Sequence, residues 1–186
     1  MRADSRVFFV ITGGPGSGKS SLLAELAAKG YICAPEAGRA IIRTHMALDG
    51  PALPWKHPAL FAELMLMWDV RSHDAQSAGQ GPVFFDRGVP DVVGYLTLSG
   101  LDVGLHLRRA CDLYRYNPCV FIAPPWREIF QGDSERKQGW AEAERTHDVM
   151  RTTYEACGYN IVTLPKSSVV SRATFVLEQV ERCLRD

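Results

Sequence analysis

Gly13, Gly18, Lys19 and Ser20 stand at the spacing G-x-x-x-x-G-K-[ST] inside the stretch VFFVITGGPGSGKS, from Val7 to Ser20. That spacing suits phosphate binding. Glycines let the backbone turn its N–H groups inward around phosphate oxygens, a lysine ammonium bridges the β- and γ-phosphates, and a serine hydroxyl ligates Mg²⁺. The expected nucleotide contacts are therefore Gly13, Gly14, Pro15, Gly16, Ser17, Gly18, Lys19 and Ser20, with Ser21 as a neighbour of no separate role. A helix beginning near Lys19 adds the favourable field of its N-terminus. The alternative is a glycine-rich turn that happens to precede a helix. The apolar run Val7 to Ile11 ahead of the motif, with the length and branching of a buried parallel strand, favours the phosphate-binding loop.

Three further groups of residues suit phosphoryl transfer. Asp86 closes the apolar run PVFFD and is followed by Arg87. A carboxylate at the end of a neighbouring strand positions Mg²⁺ directly or through water, which makes Ser20 and Asp86 the candidate metal ligands; a turn-forming Asp before DRG's glycine is the plainer reading. Arg87 is a candidate to hold an anionic group of an acceptor or to tether Glu36, against an ordinary surface arginine. Glu36, in APEAGR, is a candidate general base for an acceptor hydroxyl, weighed equally against an acid that complements a helix N-terminus. Arg39 lies one helical turn on. The polar stretch from Trp126 to Arg145 brings Arg127, Arg136, Lys137 and Arg145, together with Glu128, Asp133 and Glu135. A lid over about 124–145 would bring Arg136, and next Arg127, onto the transferring phosphate; a solvated charged loop is the alternative.

The elements that must hold these residues alternate strand and helix along the chain. A helix through Leu22, Leu23, Leu26 and Ala27 ends at Gly30, a strand YICA follows, and AGRAIIRTHMAL has helical spacing. Residues 49–58, with three prolines, read as a loop, and Pro58 opens a helix with a stripe of Leu60, Phe61, Leu64, Met65 and Trp68. After the strand PVFFD, one helix runs through Val92, Val93, Leu96 and Leu98, and a second starts from Asp102 as N-cap and reaches about Tyr116. CVFIA is a strand. Trp140, Ala143, His147, Met150, Tyr154 and Cys157 recur at helical spacing, with His147 read as a core histidine; the strand NIVTL and a final helix from Val170 to Leu184 complete the chain. No hairpin signal interrupts the alternation. The expected fold is thus an α/β/α sandwich around a parallel sheet covered on both faces, with ligands beyond the carboxyl ends of the strands at Gly13, Glu36, Asp86 and Pro124.

A chain of 186 residues, 21 basic and 21 acidic, is read as one domain with no overall field to attract nucleic acid or an anionic membrane. Its five cysteines are scattered without C-x-x-C spacing, its five histidines form no ligand set, and no apolar run reaches membrane-spanning length. The expectation is a cytoplasmic protein that needs neither a disulfide framework nor zinc.

ITGGPGSGKSSL, PEAGRAII, FFDRG with its following helix, and APPWREIFQGDSERKQGWAEAERTH together resemble the small AAA-type ATPase family related to the ribosylnicotinamide kinase domain of NadR, within the nucleoside and nucleotide kinase branch of P-loop proteins. The resemblance spans nearly the whole chain. It implies a five-stranded parallel sheet in 2-3-1-4-5 order over 1–186, ATP or GTP with Mg²⁺, a lid bearing Arg136, and an acceptor facing Glu36, Asp86 and Arg87. Two activities fit these residues: an ATP-dependent kinase for a small hydroxyl-bearing, nucleoside-like acceptor, and a nucleotide-dependent switch that hydrolyses slowly and signals to a partner. A closed, polar cavity opposite the phosphate loop would favour the first, and a flat exposed surface the second. The absence of an N-K-x-D base reader argues against a Ras-like GTPase, and the short chain against a ring-forming mechanical ATPase.

Overall fold

The computed structural model describes residues 5–76, 81–130 and 139–185. Five strands, β1 (Phe8–Gly13), β2 (Ile32–Ala34), β3 (Val83–Asp86), β4 (Cys119–Ala123) and β5 (Asn160–Thr163), form one sheet in the order β2-β3-β1-β4-β5 with every pair parallel. Among the described residues seven α-helices connect and cover them: α1 (Lys19–Ala28), α2 (Ala37–Ala47), α3 (Pro58–Ala75), α4 (Val89–Leu98), α5 (Leu105–Leu113), α6 (Trp140–Ala156) and α7 (Val169–Cys183).

Buried central strands explain the continuous apolar runs, because both faces of a parallel sheet are covered and alternate residues face opposite layers. Phe8 and Val10 of β1 point with Val83, Phe85 and Val120 into the layer made by α3, α4, α5 and α6. Phe9 and Ile11 point with Phe84 and Phe121 the other way, against Leu22 and Leu26 of α1 and Ala173 and Val176 of α7. All six residues of β1 are buried. The edge strand β5 is not: Asn160 and Thr163 are exposed and the two residues between them half-buried.

Several boundaries depart from the sequence-based expectation. Val7 belongs to a short 3-10 turn over Ser5–Val7, so the first strand starts one residue later and runs on to Gly13. The cap of α5 is Gly104 rather than Asp102, and the helix stops at Leu113, short of Tyr116, which is drawn into the core at 3% exposure. On α3 the buried face is rotated: Phe61, Ala62, Leu66, Asp69 and His73 are buried, whereas Trp68 is 39% exposed. Packing on α2 and α4 sets that register, and it turns an acid inward where spacing alone suggested an aromatic. His147 is largely buried, its side chain 13% exposed with Nε2 turned inward, and its Nδ1 meets Asp148 Oδ1 at 3.0 Å. No disulfide joins the five free cysteines, and no described helix is long and apolar enough to cross a membrane.

Candidate active site

The β1–α1 turn is built so that it cannot easily carry side chains. Gly13 has φ 131°, and a Cβ there would lie 2.5 Å from the Ala123 carbonyl oxygen at the end of β4. Gly18 caps α1 in the left-handed region at φ 77°. Lys19 lies folded over this turn, its Nζ donating to the carbonyls of Gly13 at 3.1 Å and Gly14 at 2.7 Å and to Ser17 Oγ at 3.3 Å. Burial and then the Arg87 charge lower its pKa to about 7, with Asp86 and Glu36 pulling the other way. Ser20 is exposed beside the loop, Ser21 is exposed one position further along α1, and Pro15 faces a larger cavity described below.

Arg172 supports the loop from behind and had not been singled out from the sequence. Its guanidinium, on α7 and 1% exposed, donates from Nη2 to the Ser17 carbonyl at 3.2 Å and from Nη1 to that of Gly18 at 3.4 Å. Burial holds its pKa below the ordinary arginine range.

The next strand brings Asp86 and Arg87. β3 pairs with β1 so that Asp86 lies opposite Ile11, one strand from the loop. Asp86 is 9% exposed, its Oδ1 is buried with no hydrogen-bond partner, and burial pushes its carboxyl up while Lys19 works against that shift. Ser20, Asp86 and Glu36 line one cleft of about 340 Å³. An orphaned, buried carboxylate oxygen sharing a cleft with a serine hydroxyl is a donor set that suits Mg²⁺. No three His, Cys, Asp or Glu side chains cluster as a metal site among the described residues, so a metal here would rest on Asp86 with the Ser20 hydroxyl.

Arg87 adopts φ 74°, a strained conformation for a non-glycine residue, held by its backbone N–H to the Ile11 carbonyl at 3.1 Å. Its side chain reaches Glu36 through Nε at 3.4 Å and Asp91 through Nη1 at 2.8 Å. Burial opposes its charge, but Asp91, Glu36 and Asp86 outweigh that and hold it above the ordinary range. Arg87 therefore takes the tethering role. Glu36 is the N-cap residue of α2, offers no side-chain hydrogen bond to that cap, and also meets Arg39 at 3.5 Å. Two arginines thus aim its carboxylate toward the cleft and away from the end of its own helix.

Asp91, like Arg172, carries no signal in the sequence for the part it plays. Its Oδ1 accepts from Thr12 at 2.6 Å and from Arg87, and its Oδ2 accepts from the Gly88 N–H at 3.0 Å and from the Tyr154 hydroxyl at 2.6 Å. One carboxylate thereby fixes β1, the start of α4 and α6 together. Its place in DRGVPD, third residue of a helix, was a signal for a cap but not for a hub.

Beyond Glu36 opens a cavity of about 760 Å³ between α2, α3, α4 and α6. Pro15, Glu36, Arg87 and Asp91 form its inner end; Ile42, Phe61, Met65 and Tyr95 are among its walls, with Asp69 in the α3 wall. Arg145, from α6, lines it from an exposed position. Arg127 is exposed and stacks over the Trp140 ring, 5.1 Å from its centroid, while Phe130 meets the same ring edge-on at 5.5 Å. Arg136 lies outside the described residues.

Residues 8–172 match the AAA domain family model. Comparison with curated proteins gave no match. Among solved structures, NadR protein in complex with NR superposes with a TM-score of 0.71 at 18% identity, covering 97% of this chain and 51% of that one, so this chain spans about half the NadR length. Deoxyadenosine kinase from M. mycoides, with products dCMP and dCDP bound, gives 0.67 at 14% identity over 94% and 98% of the two chains. Thymidylate kinase from Ehrlichia chaffeensis gives 0.59 at 14% identity over 95% and 99%. At those identities the likeness is one of fold. The match over nearly the whole length, together with the glycine-rich loop on the first strand of a 2-3-1-4-5 sheet, places the chain in the AAA domain family.

Proposed function

We propose that this protein is a kinase that moves the γ-phosphate of ATP, or of GTP as the alternative donor, onto a hydroxyl of a small nucleoside-like acceptor. The observation that carries the reading is the meeting of two spaces at Glu36: the cleft beside Ser20 and Asp86 and the cavity on the far side of the carboxylate. A switch protein has no use for a deep chamber opposite its phosphate loop. The chamber is lined mainly by apolar side chains rather than the polar ones expected of an acceptor site, which suits a planar organic body better than a second nucleotide tail.

The backbone N–H groups of residues 13–18 would cradle the β- and γ-phosphates, with the Lys19 ammonium swung from its own loop onto them. Mg²⁺, held by Ser20 and Asp86, would supply charge neutralisation at the phosphates when bound. Glu36, oriented by Arg87 and Arg39, would hold the acceptor hydroxyl and take its proton as the oxygen bonds to the γ-phosphorus and the bond to the bridging β–γ oxygen breaks. ADP leaves with that oxygen. Arg145 lines the cavity, and Arg127 and Arg136 would act from the same lid.

Coupled measurement of ADP release against a nucleoside and nucleotide panel tests this reading. Acceptor-dependent turnover is the expected result; ATP consumption that no acceptor accelerates would favour the switch instead. Asp86→Asn should weaken the Mg²⁺ dependence by about 10- to 100-fold, and an unchanged metal titration would move the metal elsewhere.

A further inference from the structure

Four of the five cysteines stand in pairs, one pair in each helical layer. Cys111, in the last turn of α5, is 4% exposed. Cys157, the half-buried residue that caps the end of α6, packs on the cluster that holds Cys111, and the Cys111 thiol donates to its sulfur. In the other layer Cys119 of β4 meets Cys183 of α7 in the same way. Cys119 stands in register with Asn160, three residues after Cys157, so both pairs lie where the strands begin, at the end of the sheet opposite the phosphate loop.

The first pair has a cation built beside it. Arg115 donates from Nη1 to the Cys157 carbonyl at 2.8 Å and lies over the Tyr159 ring, 4.1 Å from its centroid, so its charge is pinned to the backbone of the residue whose sulfur would ionise. Donation from Cys111, and then the charges of Arg115 and Arg108, hold the Cys157 thiol below its ordinary range against burial and Asp112. The Cys119 thiol is pushed up, by burial first. Burial likewise pushes Cys33, in the cleft beside Asp86, up to about 11. The thiolate is the reactive form of cysteine, and a second thiol in contact turns a first oxidation into a reversible disulfide.

We propose that Cys111 and Cys157 form a dithiol site that reacts with hydroperoxides, Cys157 as the attacking sulfur and Cys111 as the resolving one. The Cys157 thiolate attacks one peroxide oxygen and the O–O bond breaks; the departing oxygen takes up the proton that the thiol gave up and leaves as water or an alcohol. Cys157 is then a sulfenic acid. The Cys111 sulfur attacks the Cys157 sulfur, the S–O bond breaks, and hydroxide leaves with the Cys111 proton as water. Two thiols lose two electrons, the peroxide gains them, and an S–S bond fastens α6 to α5 one turn beyond Tyr154, the residue through which α6 holds Asp91. None of this depends on the kinase reading.

One molar equivalent of hydrogen peroxide added to the native protein, followed by N-ethylmaleimide and digestion without reductant, tests this by mass spectrometry. The expected product is an intramolecular link from Cys111 to Cys157, about 2 Da lighter than the dithiol and reversed by dithiothreitol, while Cys33, Cys119 and Cys183 carry the maleimide label. In Cys111→Ser the Cys157 sulfenic acid should be captured by dimedone. Cys157→Ser should consume peroxide roughly 10-fold more slowly, whereas Cys119→Ser should match the wild type; melting curves check that each variant is folded. The wild-type map stands without the variants. A link from Cys119 to Cys183 in its place, first oxidation at Cys33, links only between molecules, no link at all, or an unchanged peroxide rate in folded Cys157→Ser would each overturn the proposal.

Discussion

Lys19 sits on its own loop, bonded to the Gly13 and Gly14 carbonyls, with burial and Arg87 bringing its pKa to about 7. The sign of the consequence follows from the direction of the shift. A lysine whose folded pKa is lower than its unfolded value of 10.5 binds fewer protons folded than unfolded between pH 7 and 10.5, so this residue's contribution to stability rises with pH across that window. Triphosphate binding restores the charge, because the anion favours the ammonium. At pH 8, ATP binding should therefore take up close to one proton, seen as a dependence of the calorimetric enthalpy on the ionisation heat of the buffer. Lys19→Ala should lose that uptake while keeping its fold, since the side chain contributes charge rather than core area. A buffer-independent enthalpy in the wild type would remove Lys19 as the titrating group.

Among the elements, α4 matters most, because its first turn connects the phosphate loop's strand to the larger cavity. The Gly88 N–H and the Thr12, Tyr154 and Arg87 side chains all converge on Asp91. Gly88 itself leaves room for the Tyr116 ring, which a Cβ would meet at 2.9 Å. Removing one partner from a buried charged network leaves the others unpaired, at a cost of about 3–5 kcal/mol. Asp91→Ala should lower stability by that amount in urea unfolding, and it should also release Arg87 from its second anchor and so loosen the aim of Glu36. A loss below about 1 kcal/mol would show that the hub is not structural. The element of opposite character is α3, whose Asp69 faces the cavity and whose His73 is packed among Phe8, Phe85, Tyr114 and Tyr116 with Nε2 bonded to the Arg115 carbonyl at 2.8 Å.

For the whole molecule, the 2-3-1-4-5 order is what turns scattered residues into a site. It puts β3 and β4 on either side of β1, so that Asp86 and Ala123 flank the glycine turn, and it leaves α2, α3, α4 and α6 around a single chamber. A ligand that completes such a site and binds only the folded chain adds stability by mass action, about 2.7 kcal/mol at a hundredfold excess over its dissociation constant. For a chain of 186 residues that corresponds to a melting temperature higher by roughly 5–10 °C. Thermal unfolding with Mg²⁺ and ATP should show this rise, with a further rise when a true acceptor is added. No shift with nucleotide would contradict a phosphate site at this loop.

The sequence by itself determined the phosphate loop, the alternation of strands and helices, and the placing of Glu36 and Asp86 at strand ends. These are local properties: glycine spacing, apolar runs and caps act within a few residues, so they survive without knowledge of the fold. The strand order came from the family resemblance and the structure bears it out. Only the tertiary structure decided which acids are hubs and which line a cavity. Asp91 is met by Thr12 from 79 residues away and by Tyr154 from 63, and Arg172 reaches Ser17 across 155. Asp69 reads as one more polar residue on a helix until packing rotates it inward and Trp68 outward. Burial and partnership of a charge depend on neighbours that only the folded chain brings together.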